Sequence, residues 1–157
     1  MYGNDRHHDG NENMQYVHLL IMTILSFIAM YAFMYSMVDS FANVYSSLNQ
    51  VYMAAVMTAP MVIIEIIIMR AMYQNKKRNV LVLSLSVLAL IVFFIFIRQQ
   101  TAITDKQFLR SMIPHHAGAI LMCEEAPLES PKLLELCKKI ISSQQAEIEQ
   151  MKALLNE

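Results

Sequence analysis

The last third of the chain places sulfur and imidazole side chains at helical spacing. Met112 precedes His115 by three residues and His116 by four, so a helix brings all three to one face or its edges. Met122 follows His115 by seven residues, which is two turns further along. Thioether sulfur selects Cu(I), and imidazole suits copper in either oxidation state. The spacing therefore predicts a copper site in which Cu(I) is favoured and Cu(II) is possible.

A later segment could complete this site. Glu147 and Met151 lie four residues apart, and an antiparallel hairpin folded about residues 128–130 brings them towards Met112 and His115. Zinc more often recruits cysteine, histidine and carboxylate in a tetrahedral set, so the thioethers favour copper. For a single methionine such as Met151, packing in a helical core is the main alternative. An adjacent histidine pair with methionine on both sides is harder to explain by packing alone.

Two helices have to position these side chains. The first is predicted over about residues 105–126, with Thr104 or Asp105 as its N-cap. The second is predicted over about residues 131–155, with Ser130 as its N-cap and a proline at its first position. Fewer than 60 residues in two helices form only a small core. We therefore expect the hairpin to dimerise into a four-helix bundle.

The two cysteines of the chain lie on either side of the predicted turn. Cys123 is late in the first helix and Cys137 is early in the second, so they face each other at about the same height. In an oxidising compartment a disulfide persists. A bridge that closes these 15 residues would contribute about 3 kcal/mol in the chain-entropy model. We expect a disulfide, and the alternatives are a thiolate metal site or two free core cysteines.

The composition of the chain indicates that the part before the hairpin crosses a membrane. Of its 157 residues 56% are hydrophobic and 16% are charged, whereas a soluble domain is closer to half and a quarter. Three apolar stretches reach the roughly 20 residues that cross a bilayer, and none has the polar face of a soluble helix. The stretches are 17–38, 51–72 and 80–97. We therefore expect a polar N-terminus (1–16), a three-span transmembrane region (17–98) and the metal-binding hairpin (99–157).

The basic residues near the spans predict the orientation. Lys76, Lys77 and Arg78 lie between the second and third spans, and the connection between the first two spans has no lysine or arginine. Basic loops stay in the cytoplasm, so the N-terminus is also expected there. The hairpin then lies outside the cytoplasm, in the periplasm or its equivalent. The first span is longer than a signal-peptide core and is expected to be retained.

Methionines also recur inside the membrane, at every fourth residue of the second span. Such a stripe winds slowly around a helix, and it fits either ordinary packing or a path of soft ligands for Cu(I). An acid within a span is costly and is a functional candidate, although pairing with Arg70 is the structural alternative. The residues of this possible membrane path are Met53, Met57, Met61 and Glu65.

The hairpin motifs carry a family resemblance. The pattern D-x-x-F-L-x-x-M-I-P-H-H-x-x-A-I-x-M at 105–122, followed by I-I-x-x-Q-x-x-E-I-x-x-M at 140–151, resembles the bacterial domain-of-unknown-function family 305 over about residues 104–157. The resemblance implies a ferritin-like fold and copper binding in the periplasm, and it does not explain the three spans. Many members carry two hairpins, so a single hairpin supports dimerisation. The resemblance implies metal roles for Met112, His115, His116, Met122 and Met151, together with Glu147.

The sequence lacks the charge pattern of a nucleic-acid-binding protein and the motifs of common enzyme classes. A net charge of -1 offers no basic face for nucleic acid. The sequence has no Ser-His-acid set, Gly-rich phosphate loop or haem motif. No glutamate has a histidine three residues later, as a di-iron site requires. We therefore do not expect an enzyme. His7 and His8 could bind a metal weakly, or they belong to a disordered cytoplasmic segment.

The sequence thus predicts an all-α, multi-pass protein of the bacterial inner membrane that binds copper outside the cytoplasm for tolerance, storage or handover. Its expected partners are the lipid bilayer, the copper ion and a second copy or more of itself. Two alternative functions belong to other functional classes. One is a copper transporter that uses the methionine stripe and Glu65. The other is a structural oligomerisation protein in which metal binding is incidental.

Overall fold

Helices account for almost the whole chain. The computed structural model describes the backbone of residues 5–157 and the side chains from residue 13 onward. Two short 3₁₀ helices, Met34–Met37 and Phe41–Asn43, lie between the first two α-helices, and the described residues contain no strand. This confirms the all-α prediction. The α-helices are α1 (Asp5–Phe33), α2 (Leu48–Ile68), α3 (Lys76–Gln99), α4 (Asp105–Glu125) and α5 (Pro131–Leu155).

Three helical segments are long and apolar enough to cross a membrane, as the sequence predicts. They are Asn13–Met37, Leu48–Ile68 and Lys76–Gln99. The third begins a few residues earlier than expected because its basic first turn is also helical. Asn75 supports this start, since its side-chain oxygen accepts a hydrogen bond from the Arg78 backbone N–H at 3.1 Å.

The chain divides into two compact units. The first comprises α1 up to Tyr31 together with Tyr52–Gln99. Its buried cluster is small, and α3 has no buried residue. Apolar side chains that remain exposed on such helices are suited to contact lipid rather than water. The buried residues of this cluster are Leu19, Val62, Ile66 and Tyr73.

The second unit comprises Ala32–Val51 and Gln100–Glu157. Its main feature is an antiparallel hairpin of α4 and α5, whose bounds agree with the prediction to within one residue. Thr104 caps α4 by accepting from the Gln107 backbone N–H, whereas Ser130 occupies the N-cap of α5 without a side-chain cap bond. The hairpin core consists of Ile113, Ala117, Ile120, Ile148 and Met151.

Besides α4 and α5, the second unit has a third layer, formed by the segment Ala32–Val51, which covers part of α4. The connection between the first two spans packs on the hairpin: Gly118 lies so close to it that a Cβ there would meet the Met37 carbonyl oxygen at 3.3 Å. Gln107 accepts a hydrogen bond from the Leu48 backbone N–H at 2.8 Å. The sequence predicts a hairpin completed by a second copy, and the structure shows that the chain itself supplies part of the cover.

Candidate metal centre

His116 is the best-defined polar side chain of the hairpin. It lies on α4 three residues after Ile113 and four before Ile120, the residues that mark the buried face, and it is itself 9% exposed. Its Nδ1 lies 2.9 Å from the Met112 carbonyl oxygen one turn earlier. Because a carbonyl oxygen can only accept, Nδ1 is the protonated ring nitrogen in this contact. The contact thus fixes the ring and directs Nε2 towards α5.

Nε2 of His116 meets a carboxylate. Glu147 of α5 places Oε2 at 2.7 Å from Nε2, and its side chain is 52% exposed. With Nδ1 protonated, a neutral His116 would present a lone pair to an oxygen that also only accepts. A shared proton or a cation between the two atoms resolves this conflict.

Two thioethers lie one turn away from this pair. Met112 precedes His116 by four residues on α4, and Met151 follows Glu147 by four residues on α5. Because the helices are antiparallel, both positions are displaced towards the open end of the hairpin. Met151 is 9% exposed, and Met112 packs against the same buried cluster. The structure therefore brings together four of the six predicted ligands, two from each helix.

The other two predicted ligands lie on a different face of α4. His115 is exposed, and the centre of its ring is 5.9 Å from that of His116. Met122 is 54% exposed. Seven residues separate the two by about 10 Å along the helix axis, too far for one ion in one chain. The sequence predicts His115 beside Glu147, whereas the structure gives that place to His116; metal roles for His115 and Met122 stay predictions.

Gln144 adds an oxygen on the same side of α5. It lies three residues before Glu147 and seven before Met151, and its Oε1 is buried without a hydrogen-bond partner among the described residues. A buried acceptor without a partner loses the solvation it would have in water. Its place in the stripe could have been read from the helical spacing. The orphaned oxygen fits a site that takes up a cation.

The donor types restrict which metal this cluster suits. Within the described residues, no group of three or more histidine, cysteine, aspartate or glutamate side chains is placed to hold a metal ion. A centre built on His116 and Glu147 would need further donors of another type, and Met112 and Met151 lie one turn away along the two helices. Imidazole with thioether suits copper better than zinc.

The cysteines form the expected bridge. Cys123 and Cys137 are joined by a disulfide with their Cα atoms 5.3 Å apart, within the usual range for such bridges. The bond connects α4 to α5 at the closed end of the hairpin, two helical turns from His116. The disulfide prediction is confirmed, and the thiolate alternative does not apply to this oxidised state.

The methionines of α2 face away from the rest of their unit. Met53 and Met57 are 42% and 44% exposed, while Met61 is partly buried. A role for this stripe in transport stays a prediction.

The acid of α2 is paired with a tyrosine. Glu65 accepts a hydrogen bond from the Tyr73 hydroxyl at 3.4 Å, and the described residues show no ion pair between Glu65 and Arg70. Burial of the ring, followed by the charge of Glu65, raises the pKa of Tyr73, so that its hydroxyl stays a neutral donor. The side chains of His7 and His8 lie outside the described residues.

Comparison with known proteins covers both parts of the chain. Residues 97–155 match the family described as "Domain of unknown function (DUF305)". A curated relative, "Uncharacterized protein L153" of Acanthamoeba polyphaga mimivirus, is 34% identical over 142 residues, which is 88% of this chain and 91% of the relative. A match of this length cannot be confined to the hairpin and takes in most of the spans. No solved structure matches.

The relative sets a limit on what the resemblance implies. It comes from a virus, so a bacterial origin for this chain stays a prediction. The match to residues 97–155 contains α4 and α5 and all the ligands predicted in the hairpin. The alignment with the relative extends over nearly all of both chains, so it includes both the spans and the hairpin of this chain.

Proposed function

This chain belongs to the family described as a domain of unknown function (DUF305), and we propose that it is a membrane-anchored protein that binds copper at its C-terminal hairpin. Tolerance, storage or handover of copper outside the cytoplasm are the roles this would serve. The ion is cargo, and no catalytic step is proposed. The observation that carries the proposal is the pairing of His116 with Glu147, one turn from Met112 and Met151.

The hydrogen bond at Nδ1 of His116 supports ligation through Nε2. Histidine ligands commonly donate the second ring N–H to a carbonyl or carboxylate, which fixes the tautomer. Here the Met112 carbonyl takes that role before any ion is bound. Binding at Nε2 then needs no rearrangement at Nδ1, because that nitrogen already contacts the carbonyl oxygen. The half-exposed carboxylate gives the ion a route from solvent.

The methionines support Cu(I) as the preferred state. Thioethers are soft, uncharged donors, and two of them beside one imidazole resemble no common zinc or calcium set. Glu147 and the Gln144 oxygen are harder donors that would also tolerate Cu(II). The mixed set is therefore suited to bind either oxidation state, with Cu(I) preferred.

The arrangement within the second unit supports a hairpin outside the cytoplasm. The connection between the first two spans lacks lysine and arginine, and it packs on α4 within the same unit. Both segments would therefore lie on one side of the membrane, opposite the basic loop that contains Lys76, Lys77 and Arg78. That side also suits the disulfide, which persists in oxidising compartments.

Cu(I) titration of the full-length protein in detergent tests the proposal. A chromogenic Cu(I) chelator serves as the competitor, and metal analysis gives the stoichiometry. We expect tight binding that falls sharply in His116→Ala. His18→Ala, which removes an exposed histidine far from the hairpin in sequence, is the matched control and should bind like the wild type. Equal affinity in wild type and His116→Ala would overturn the proposal.

The transport alternative has less support. Because Met53 and Met57 face outward from the single chain, a methionine path would need several copies around it. Copper uptake by liposomes that contain the full chain distinguishes the two functions. We expect no uptake above that of empty liposomes; uptake that Met57→Leu abolishes would favour the transporter instead.

A further inference from the structure

The proposed ligands come from two helices, and the first turns of the second helix are exposed to solvent. Residues 131–136, the first turn and a half of α5, are all exposed, including leucines at 133, 134 and 136 that are 43–50% exposed. Fully buried residues of α5 begin only at Ile148. Apolar packing therefore holds the far end of α5, and the closed end is held to α4 chiefly by the bond between Cys123 and Cys137.

The ligands need the two helices in register. Met112 and His116 come from α4, whereas Glu147 and Met151 come from α5. Rotation or sliding of α5 by one residue turns its side chains by about 100° and shifts them by about 1.5 Å. Such a shift would remove the Glu147 oxygen from the 2.7 Å contact with His116. Packing of Ile148 and Met151 holds α5 at the level of the ligands, and the bridge limits rotation and sliding of the same helix from its other end.

We propose that Cys123 and Cys137 act as positioning residues, a redox-sensitive lock on the metal affinity of the hairpin. The inference rests on the proposed function, because the affinity that it concerns is the affinity for copper. Closed, the bridge holds α5 in the register that pairs His116 with Glu147. Opened, it frees the first turns of α5, and the centre loses affinity and releases its ion.

Opening the lock is ordinary thiol–disulfide exchange with a dithiol reductant. One thiolate of the reductant attacks a bridge sulfur, forms a mixed disulfide and displaces the other cysteine thiolate. The second thiol of the reductant then displaces the remaining cysteine. The bridge is reduced to two thiols while the reductant becomes a cyclic disulfide, so electrons and protons balance. Both cysteines are only partly buried, which leaves the bridge accessible to such a reagent.

The test compares full-length protein in three covalent states, using Cu(I) competition as the readout. The first is the native disulfide, and the second is Cys123→Ser/Cys137→Ser, which opens the lock without adding thiols that bind copper. The third is reduced protein closed again by diiodomethane, which places a methylene group between the two sulfurs. We expect the serine variant to bind roughly 10- to 100-fold more weakly, the size of effect seen for residues that support ligands. The methylene bridge should restore native affinity.

Hydrogen exchange of the metal-free protein supplies a second readout. We expect faster exchange at the amides of residues 137–147 in the serine variant and native protection with the methylene bridge. Equal Cu(I) affinity in all three states would overturn the lock. Absence of Cu(I) binding by the native disulfide form would overturn the proposed function instead, so the two failures are distinguishable.

Discussion

At the scale of single residues, His116 defines the site through its two ring nitrogens. Nδ1 is occupied by the Met112 carbonyl, and Nε2 is directed at Glu147. Its neighbour His115 has the same chemistry but lies on the exposed face. The difference between the two is a rotation of about 100° around α4. Geometry, rather than residue type, decides which imidazole joins the buried cluster.

Glu147→Gln tests the carboxylate without changing its shape. The amide can still donate to Nε2 of His116, so we expect the free energy of unfolding to change by less than about 1 kcal/mol. The cation loses an anionic partner, and we expect Cu(I) affinity to fall about tenfold. Competition titration and urea unfolding measure the two effects. Glu149→Gln, at an exposed position two residues on, is the control; a similar loss there would contradict a local role for Glu147.

Met151→Leu separates the sulfur from its packing. Leucine has nearly the volume of methionine, so the cost in the buried cluster should stay below about 1.5 kcal/mol. The thioether is removed, and we expect Cu(I) to bind more weakly while Cu(II) affinity changes less. Titration in both oxidation states checks this. Met53→Leu in α2 is the control and should not change Cu(I) binding at the hairpin. Unchanged Cu(I) affinity in Met151→Leu would show that the Met151 side chain only packs.

At the scale of elements, periodicity and caps predicted the helices of the hairpin to within a residue. Local signals suffice there, since Thr104 and Pro131 mark where α4 and α5 begin. The layer formed by the connection between the first two spans was not predictable in this way. It depends on long-range contacts, such as that between Gln107 and Leu48, which no local pattern records. The position of His116, rather than His115, opposite Glu147 has a similar origin, because it depends on how α4 packs against α5.

Gly118→Ala tests the contact between this layer and α4. Alanine favours a helix over glycine by about 1 kcal/mol, so an open site would be stabilised. Here the new Cβ would lie 3.3 Å from the Met37 carbonyl oxygen, closer than ordinary van der Waals contact. We expect the gain to be cancelled or reversed in thermal unfolding of the full chain. Clear stabilisation by Gly118→Ala would contradict the close packing; Ala119→Gly, which should cost about 1 kcal/mol, calibrates the helix propensity.

At the scale of the whole molecule, composition separates the chain into apolar spans and a hairpin of ordinary polarity. The family match covers only the hairpin, whereas the mimivirus relative aligns over nearly the whole chain. The hairpin and three candidate membrane spans thus lie in one chain. Under the proposed function, the side of the membrane that the hairpin occupies decides which pool of copper it meets.

Cysteine labelling tests that orientation. Ser40→Cys and Ser142→Cys introduce exposed thiols in the connection and in α5, and Gln74→Cys introduces one beside the basic loop. The native cysteines are bridged and add no thiol while oxidised. In intact cells we expect a membrane-impermeant maleimide to label the first two variants, and Gln74→Cys only after permeabilisation. Labelling of Ser40→Cys and Ser142→Cys from opposite sides would exclude a shared compartment.

The ligands themselves provide the most direct test of a methionine–histidine copper centre. X-ray absorption at the copper edge, on full-length protein loaded with one equivalent of Cu(I), reports the donor atoms bound to the ion. We expect a mixed shell of sulfur and imidazole nitrogen that loses sulfur in Met151→Leu and nitrogen in His116→Ala. A shell without sulfur, or one that neither substitution alters, would contradict it.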